Sequence, residues 1–564
     1  MDLDRTIQKC RLTACFLLLA SIPPSGHCQV NVTTYKYDSA RTGQNVQETA
    51  LSPASVSGGK FHKIFTAPLD GYVYAQPLYV SGLIDVAGGT PGRVHNVVFA
   101  ATEHNSVYAL DADSTDPGGT ILWHHTYLSA GETSVSAPGD VNCGDLVPEI
   151  GITSTPVIDV SNSIMYFVTK SKQGANFVQR LHAVSLLDGS ERLGGPVVIA
   201  GAASGSSVQF DPHRQFNRAA LLLDAGKVII GWASHCDVGP YHGWIMAYDS
   251  STLKQLAVFT TTPDGFEGGV WMSGGGIAAD AQHRIFFATG NGDYDGATNQ
   301  DYADSILRLD SQSNGTFKVG DWFTPFNQHV LNNGDQSAGT PGDLDLGAGG
   351  LLLLPDLPVG SAHARLLVQM GKNGTMYLID RDNMGKYCDG CTQDTQIVQS
   401  IPGALNGMWG TPAYWNGFIY WVAGRPAIHG LSDAFRAWRF NLGGSGKISA
   451  VPISQAAMSF RFSTAAPVIS ANGNTNGIVW LLDNHSFGGL QPGPQVLYAY
   501  DATDLTKLLY TSEQAAGGRD RSGGAVKFAC PIVANGRVFA GSVRSLTAWG
   551  LITASSTPQI TKTH

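Results

Sequence analysis

Tyr108-Ala109-Leu110-Asp111 is a short apolar cassette closed by an acid. The same ending returns as Leu181-His182-Ala183-Val184, Met246-Ala247-Tyr248-Asp249, Leu307-Arg308-Leu309-Asp310, Tyr377-Leu378-Ile379-Asp380, Arg436-Ala437-Trp438-Arg439, Tyr498-Ala499-Tyr500-Asp501 and Leu546-Thr547-Ala548-Trp549, eight copies in all. Seven intervals separate Asp111 from Gly550, a mean of about 63 residues. A period of this order marks a propeller or a related array.

Each unit reads as four short strands. A strand after a proline (Gln76-Pro77-Leu78-Tyr79-Val80; Thr155-Pro156-Val157-Ile158) leads to a second (Val97 to Ala101; Ile164 to Val168; Val228 to Trp232; Ile285 to Ala288). The cassette ends the third, and an aromatic often sits in the fourth, as in Ile121-Leu122-Trp123. β-Branched and aromatic runs broken by Gly, Asn and Asp are strand-and-turn chemistry, and amphipathic helical periodicity is almost absent. The expected fold is all-β: an eight-bladed β-propeller of four-stranded blades. The last unit stops at Leu546 to Trp549, while Phe61-His62-Lys63-Ile64-Phe65 precedes the first repeat without a unit of its own. Residues 61 to 66 are therefore expected to supply the outer strand of blade eight, so that an N-terminal strand closes the ring.

Composition narrows the class. Of 564 residues 43% are apolar and only 14% charged, with 68 glycines, enough for a large core and far from a disordered chain. The net charge of −9 leaves no basic footprint for nucleic acid. Arg5, Lys9 and Arg11 precede an apolar stretch from Leu12 to Ile22 and then Pro23-Pro24-Ser25-Gly26, the pattern of an export signal and too short for a transmembrane helix. Residues 1–28 are thus expected to be a signal peptide, 29–57 an N-terminal tail across the ring, 58–552 the propeller and 553–564 a flexible tail. The expected protein is secreted or periplasmic and monomeric. Beyond the leader stand Cys143, Cys236, Cys388, Cys391 and Cys530, an odd number that leaves at least one thiol unpaired within the chain. Cys388-Asp389-Gly390-Cys391 reads as a small local disulfide, and Cys143 with Cys236 as a tie between adjacent blades.

The repeat resembles the pyrroloquinoline-quinone-type propeller repeats, whose units run Pro-Val, Val-Tyr-Val, Leu-Tyr-Ala-Leu-Asp and Leu-Trp. Tyr108-Ala109-Leu110-Asp111 with Leu122-Trp123, and Leu497-Tyr498-Ala499-Tyr500-Asp501, match it best, and the resemblance spans about residues 60 to 552. Longer segments, Ala40-Arg41-Thr42-Gly43-Gln44-Asn45, Pro148-Glu149-Ile150-Gly151-Ile152-Thr153, Gly239-Pro240-Tyr241-His242-Gly243-Trp244 and Arg381-Asp382-Asn383-Met384-Gly385, resemble exported bacterial quinoprotein-like proteins. The resemblance implies a ligand site among the loops joining strands two and three and those joining successive blades. It also implies pyrroloquinoline quinone (PQQ) with calcium as Lewis acid, an Asp base, an Arg near the quinone oxygens and an aromatic floor. Two departures stand out: there is no vicinal Cys-Cys pair and no cytochrome domain.

Sorting those loops gives the candidates. Glu149, His235, Asp237, His242 and Glu267 are expected as catalytic acids, bases or proton carriers. Trp271, Lys372, Trp409, Arg519 and Arg521 are expected to hold the cofactor. Asn291, Asp293, Asp295 and Asp301 could supply hard oxygen ligands to calcium, although their spacing is not that of an EF-hand and Asx turns are the plainer account of it. Asp343-Leu344-Asp345 carries the same ambiguity. No P-loop, Gly-x-Ser-x-Gly elbow or His-Glu-x-x-His helix occurs. The reading at this stage is a quinoprotein-like oxidoreductase acting on an alcohol or sugar. A non-catalytic propeller binding a polysaccharide or protein, and a hydrolase or lyase using the same face, are the alternatives.

Overall fold

The computed structural model describes residues 30–552 apart from 204–205, 296–299, 313–314, 338, 425–431 and 490. The expected leader at 1–28 and tail at 553–564 lie outside the described residues. The chain forms eight sheets, each built on a four-stranded blade. All eight cassettes fall on third strands, from Ser106–Asp111 in blade one to Ser545–Leu551 in blade eight.

The cassette's composition follows from where it sits. A third strand is covered on both faces by neighbouring blades, so alternation gives way to a continuous apolar run. Ala109 and Leu110 are fully buried and Tyr108 nearly so. The closing acid turns the chain: the carboxylates of Asp111, Asp249, Asp380 and Asp501 each accept the backbone N–H two residues on, at 2.8–2.9 Å. These are Asx turns, which free the strand end to reverse into the fourth strand. No helix among the described residues is long and apolar enough to cross a membrane.

Some blades depart from the plain unit. Thr133–Ser136 and Glu149–Ile150 extend the sheet of blade two, and Gln215–Phe216 that of blade three. Blade eight takes three strands from Ile532–Ala534, Arg537–Ser542 and Ser545–Leu551. Its fourth is Phe61–Pro68, which runs antiparallel to Ser545–Leu551 with Phe61 opposite Leu551 and Pro68 opposite Ser545.

Ahead of that strand, residues 32–48 travel around the channel and meet the innermost strand of each blade. The carbonyls of Val32, Thr33, Ser39, Ala40, Thr42 and Gly43 accept the N–H groups of Tyr79, Ile158, Ala279, Leu353, Tyr414 and Ile469 at 2.7–2.9 Å, in blades one, two, four, five, six and seven. Arg41 reaches blade three through Leu221 O at 3.2 Å, and Tyr37 Oη accepts Val533 N of blade eight at 2.7 Å. Inner strands present an unpaired row of N–H groups to the channel, and buried donors need partners. The segment provides them. It also brings Tyr35 into the apolar cluster that contains Phe216, Trp409, Cys143 and Phe528.

Candidate functional site

Residues of this cluster line a cavity of about 380 Å³, within the range of small-molecule sites. Its lining comes from the two loop classes that share one face: Cys143, Asp145, Arg218, Trp271, Asp345, Trp409, Phe462, Lys527 and Phe528 from between blades, and His235, Cys236, Asp237, Asn291 and Lys372 from strand-two-to-three turns.

Local geometry fixes the walls. Cys143 and Cys236 form a disulfide with Cα atoms 5.7 Å apart, joining the blade one–two loop to the blade-three turn. Cys236 and Asp237 both adopt left-handed backbone (φ 48° and 50°), which is costly for residues with side chains. The disulfide and the Tyr241 hydroxyl, which donates to Asp237 Oδ1 at 2.6 Å, hold that turn in place. Trp271 is followed by two further left-handed residues, Met272 and Ser273 (φ 42° and 50°). Buried Met272 and the Ser273 Oγ donation to Ala348 O at 2.7 Å anchor them. The Trp271 indole N–H then donates to Asp345 Oδ2 at 3.0 Å.

Among the described residues Lys372 and Lys527 are ion-paired to carboxylates of the lining, whereas Arg218 and Asp237 have no ion pair. The Lys372 ammonium lies 2.8 Å from Asp345 Oδ1 and 2.5 Å from Asp343 Oδ1, and 5.6 Å from the centre of the Trp271 ring. Burial pushes the Asp345 carboxyl up, but Lys372 and the Asp343 hydrogen bond outweigh it and hold Asp345 below the ordinary carboxylate value. Lys527 pairs with Asp145. Arg218 is 3% exposed, sits over the rings of Tyr74 and Phe528 at 5.3 and 5.6 Å, and its Nη1 has no hydrogen-bond partner among the described residues. It makes no salt bridge among them.

Of the residues expected from sequence, His235, Asp237, Asn291, Trp271, Lys372 and Trp409 line this cavity. His235 is nonetheless no free base: Lys170 occupies its Nε2 at 2.7 Å, and burial and Lys170 push its pKa well below 6.5. Glu149 stands apart, facing His104 at 3.0 Å in a separate depression. His242 donates to Thr262 O at 2.8 Å outside the cavity lining. Glu267 is also outside it, half-buried, with its pKa pushed up to about 7 by burial and by Asp237 and Asp293.

The structure places Arg519 and Arg521 away from this cavity. Arg519 pairs with Asp520 at 2.8 Å and Arg521 with Glu513 at 2.5 Å, both guanidiniums more than half exposed beside the outer strand of blade eight. From that same loop the residues that reach the cavity are Lys527 and Phe528. Sequence reasoning missed them, and Arg218 and Phe462 with them, because the three loops that carry these residues are far apart in sequence and none bears a motif.

The expected calcium loop is tied up in backbone bonds. Asp293 Oδ2 accepts Phe266 N at 2.9 Å, and Asp301 Oδ1 accepts the N–H groups of Asp264 and Gly265 at 3.2 and 3.1 Å. Neither they nor Asp295 line the cavity.

Two solved structures can be set against this geometry. A quinohemoprotein alcohol dehydrogenase from Pseudomonas putida superposes with a TM-score of 0.58 at 15% identity, over 93% of this chain and 80% of that one. A europium-containing methanol dehydrogenase superposes at 0.57 with 14% identity, over 92% and 98%. The chain has the propeller fold of the quinoprotein dehydrogenases. No family model and no curated protein matches the sequence. At this identity the quinoprotein fold is what is shared, so each group that fold implies has to be tested on the residues present.

A quinone such as PQQ suits the residues. It is a planar conjugated ring system carrying carboxylates, and the cavity offers aromatic rings, a disulfide surface and three cations. Calcium does not suit them, because it takes six to eight oxygen ligands. Asp343 and Asp345 already share the Lys372 ammonium, Asp145 has Lys527 and Asp237 has Tyr241. Among the described residues no group of three or more His, Cys, Asp or Glu side chains is placed to hold a metal ion.

Proposed function

We propose that this protein is an oxidoreductase that removes two electrons from a small alcohol or sugar, with a PQQ-type quinone in the central cavity. The observation that carries the reading is the Trp271–Asp345–Lys372 constellation: an aromatic surface, a carboxylate hydrogen-bonded to its edge, and an ammonium that keeps that carboxylate charged. The bound quinone would supply the two-electron acceptor. Asp345 is the group to accept the substrate hydroxyl proton: it is ionised beside Lys372, and apart from that ion pair its buried Oδ1 accepts no hydrogen bond among the described residues. Trp271 and the disulfide wall orient a flat ring, and Phe462 and Phe528 keep water from it.

The pairing of Phe61–Pro68 with Ser545–Leu551 supports a ring closed by the chain's N-terminal strand. The two disulfides, Cys143–Cys236 and Cys388–Cys391, support action outside the cytoplasm, where such bonds persist. The test is reconstitution: purified protein is incubated with PQQ, and reduction of an artificial dye is followed over a panel of primary alcohols and aldoses. Dye reduction that requires both PQQ and substrate is the expected result. PQQ binding without turnover on any substrate would leave a binding protein, and absence of PQQ binding would reject the quinone reading.

A further inference from the structure

The quinoprotein fold implies a metal beside the quinone, and the donor set here does not provide for one. We propose instead that this cavity is metal-independent: the Lys372 ammonium is the resident cation at the Asp343–Asp345 pair, and Arg218 with Lys527 carries the carboxylates of the ring ligand. The inference rests on the quinone reading given above.

Three observations carry it. The first is that Asp343 and Asp345, the two cavity carboxylates closest to Trp271 in the bonded network, converge on one nitrogen, at 2.5 and 2.8 Å. A metal ion seated on that pair would have to displace a side chain that is only 13% exposed and already stands against the indole ring. A second is Arg218, 97% buried from solvent, lining the cavity and holding a donor with no partner among the described residues. An unpaired buried guanidinium N–H is expensive unless a ligand completes it, and the planar fork of Arg matches a carboxylate.

The third is placement. Lys527 comes from the blade seven–eight loop, and Arg218 reaches toward it, with Nη2 3.5 Å from Lys527 O. Arg218 and Lys527 line the same cavity as Trp271 and Lys372. A ring lying on Trp271 would have Lys372 at the carboxylate pair and Arg218 and Lys527 as the remaining cations for its own carboxylates. The ligand class that follows is a conjugated polycarboxylate taken up without a divalent or trivalent ion.

The experiment is a titration of the full chain with PQQ, followed by quenching of tryptophan fluorescence, in three buffers: EDTA, calcium chloride and lanthanum chloride. The expected dissociation constants agree within about threefold. Binding that is a hundredfold weaker in EDTA than in either metal would overturn the inference and leave the quinone reading standing. Failure to bind in all three buffers would overturn both. Arg218→Gln and Lys527→Gln are each expected to weaken binding in EDTA at least tenfold. Unchanged affinity in both folded variants would overturn the assignment of the carboxylates. If Arg218→Gln fails to fold, Lys527→Gln and the three-buffer comparison still decide the matter.

Discussion

The Trp271 indole N–H donates to Asp345 Oδ2 at 3.0 Å, so an indole face of the cavity and a carboxylate held below its ordinary pKa are fixed to each other. A ring stacked on the indole lies beside that carboxylate whatever its other contacts. Replacing Asp345 by Asn preserves the shape and removes the proton acceptor. Dye reduction should fall by about 10²–10⁴-fold, with the PQQ dissociation constant moved less than threefold. A kcat within a factor of five of wild type would remove Asp345 from the chemistry.

Lys372→Met would leave Asp343 and Asp345 facing each other without their cation. Breaking a buried pair from one side costs about 3–5 kcal/mol, so urea unfolding at pH 8 should show a loss of that order. Millimolar calcium or lanthanum should restore part of it in the variant and do nothing for the wild type, because the two carboxylates become available only when the ammonium is gone. Equal metal effects on both proteins would contradict the arrangement.

Glu103 gives a pH signature. It is fully buried, its Oε2 accepts Gly151 N and Thr153 Oγ1 at 2.7 and 2.9 Å, and its pKa is pushed up to about 7. Burial is the main cause; those hydrogen bonds and Arg218 oppose it, and Glu149 adds to it. A carboxyl whose folded pKa lies above its unfolded one contributes stability that is full below about pH 4.5 and is lost as pH rises through about 7. Glu103→Gln lacks this term. Between pH 4.5 and 7.5 the wild type should lose on the order of 3 kcal/mol relative to the variant; parallel stability profiles would refute it.

Phe61 tests the clasp of blade eight. Its buried ring packs 5.2 Å from Trp480 and 4.9 Å from Tyr510 of blade seven. Phe61→Ala should cost about 3–5 kcal/mol, and deletion of residues 58–68 should lower the melting temperature of the whole ring. A deletion that melts like the intact chain would show that blade eight stands without this strand.

The fold was legible because stacking writes the same message eight times. Strands buried on both faces read as apolar runs, and the Asx turn after them leaves an Asp at a fixed place. The site was legible only where a loop's position gave it away, as for Trp271, Lys372 and Asn291, or where two cysteines fell on one face of adjacent blades. Arg218, Phe462 and Lys527 meet across the ring from loops up to 309 residues apart in sequence, and no spacing rule encodes such a meeting. Arg519 and Arg521 attracted notice by residue type, yet nearby carboxylates satisfy both at the surface.

The strand Phe61–Pro68 also sets a clock. Lys63 pairs with Trp549, 486 residues later (549 − 63). At the roughly 5–20 residues per second of ribosomal synthesis, that partner emerges on the order of 25 to 100 seconds after the strand itself. For all that time Phe61 and the residues that girdle the channel have been made but have no complete ring to join.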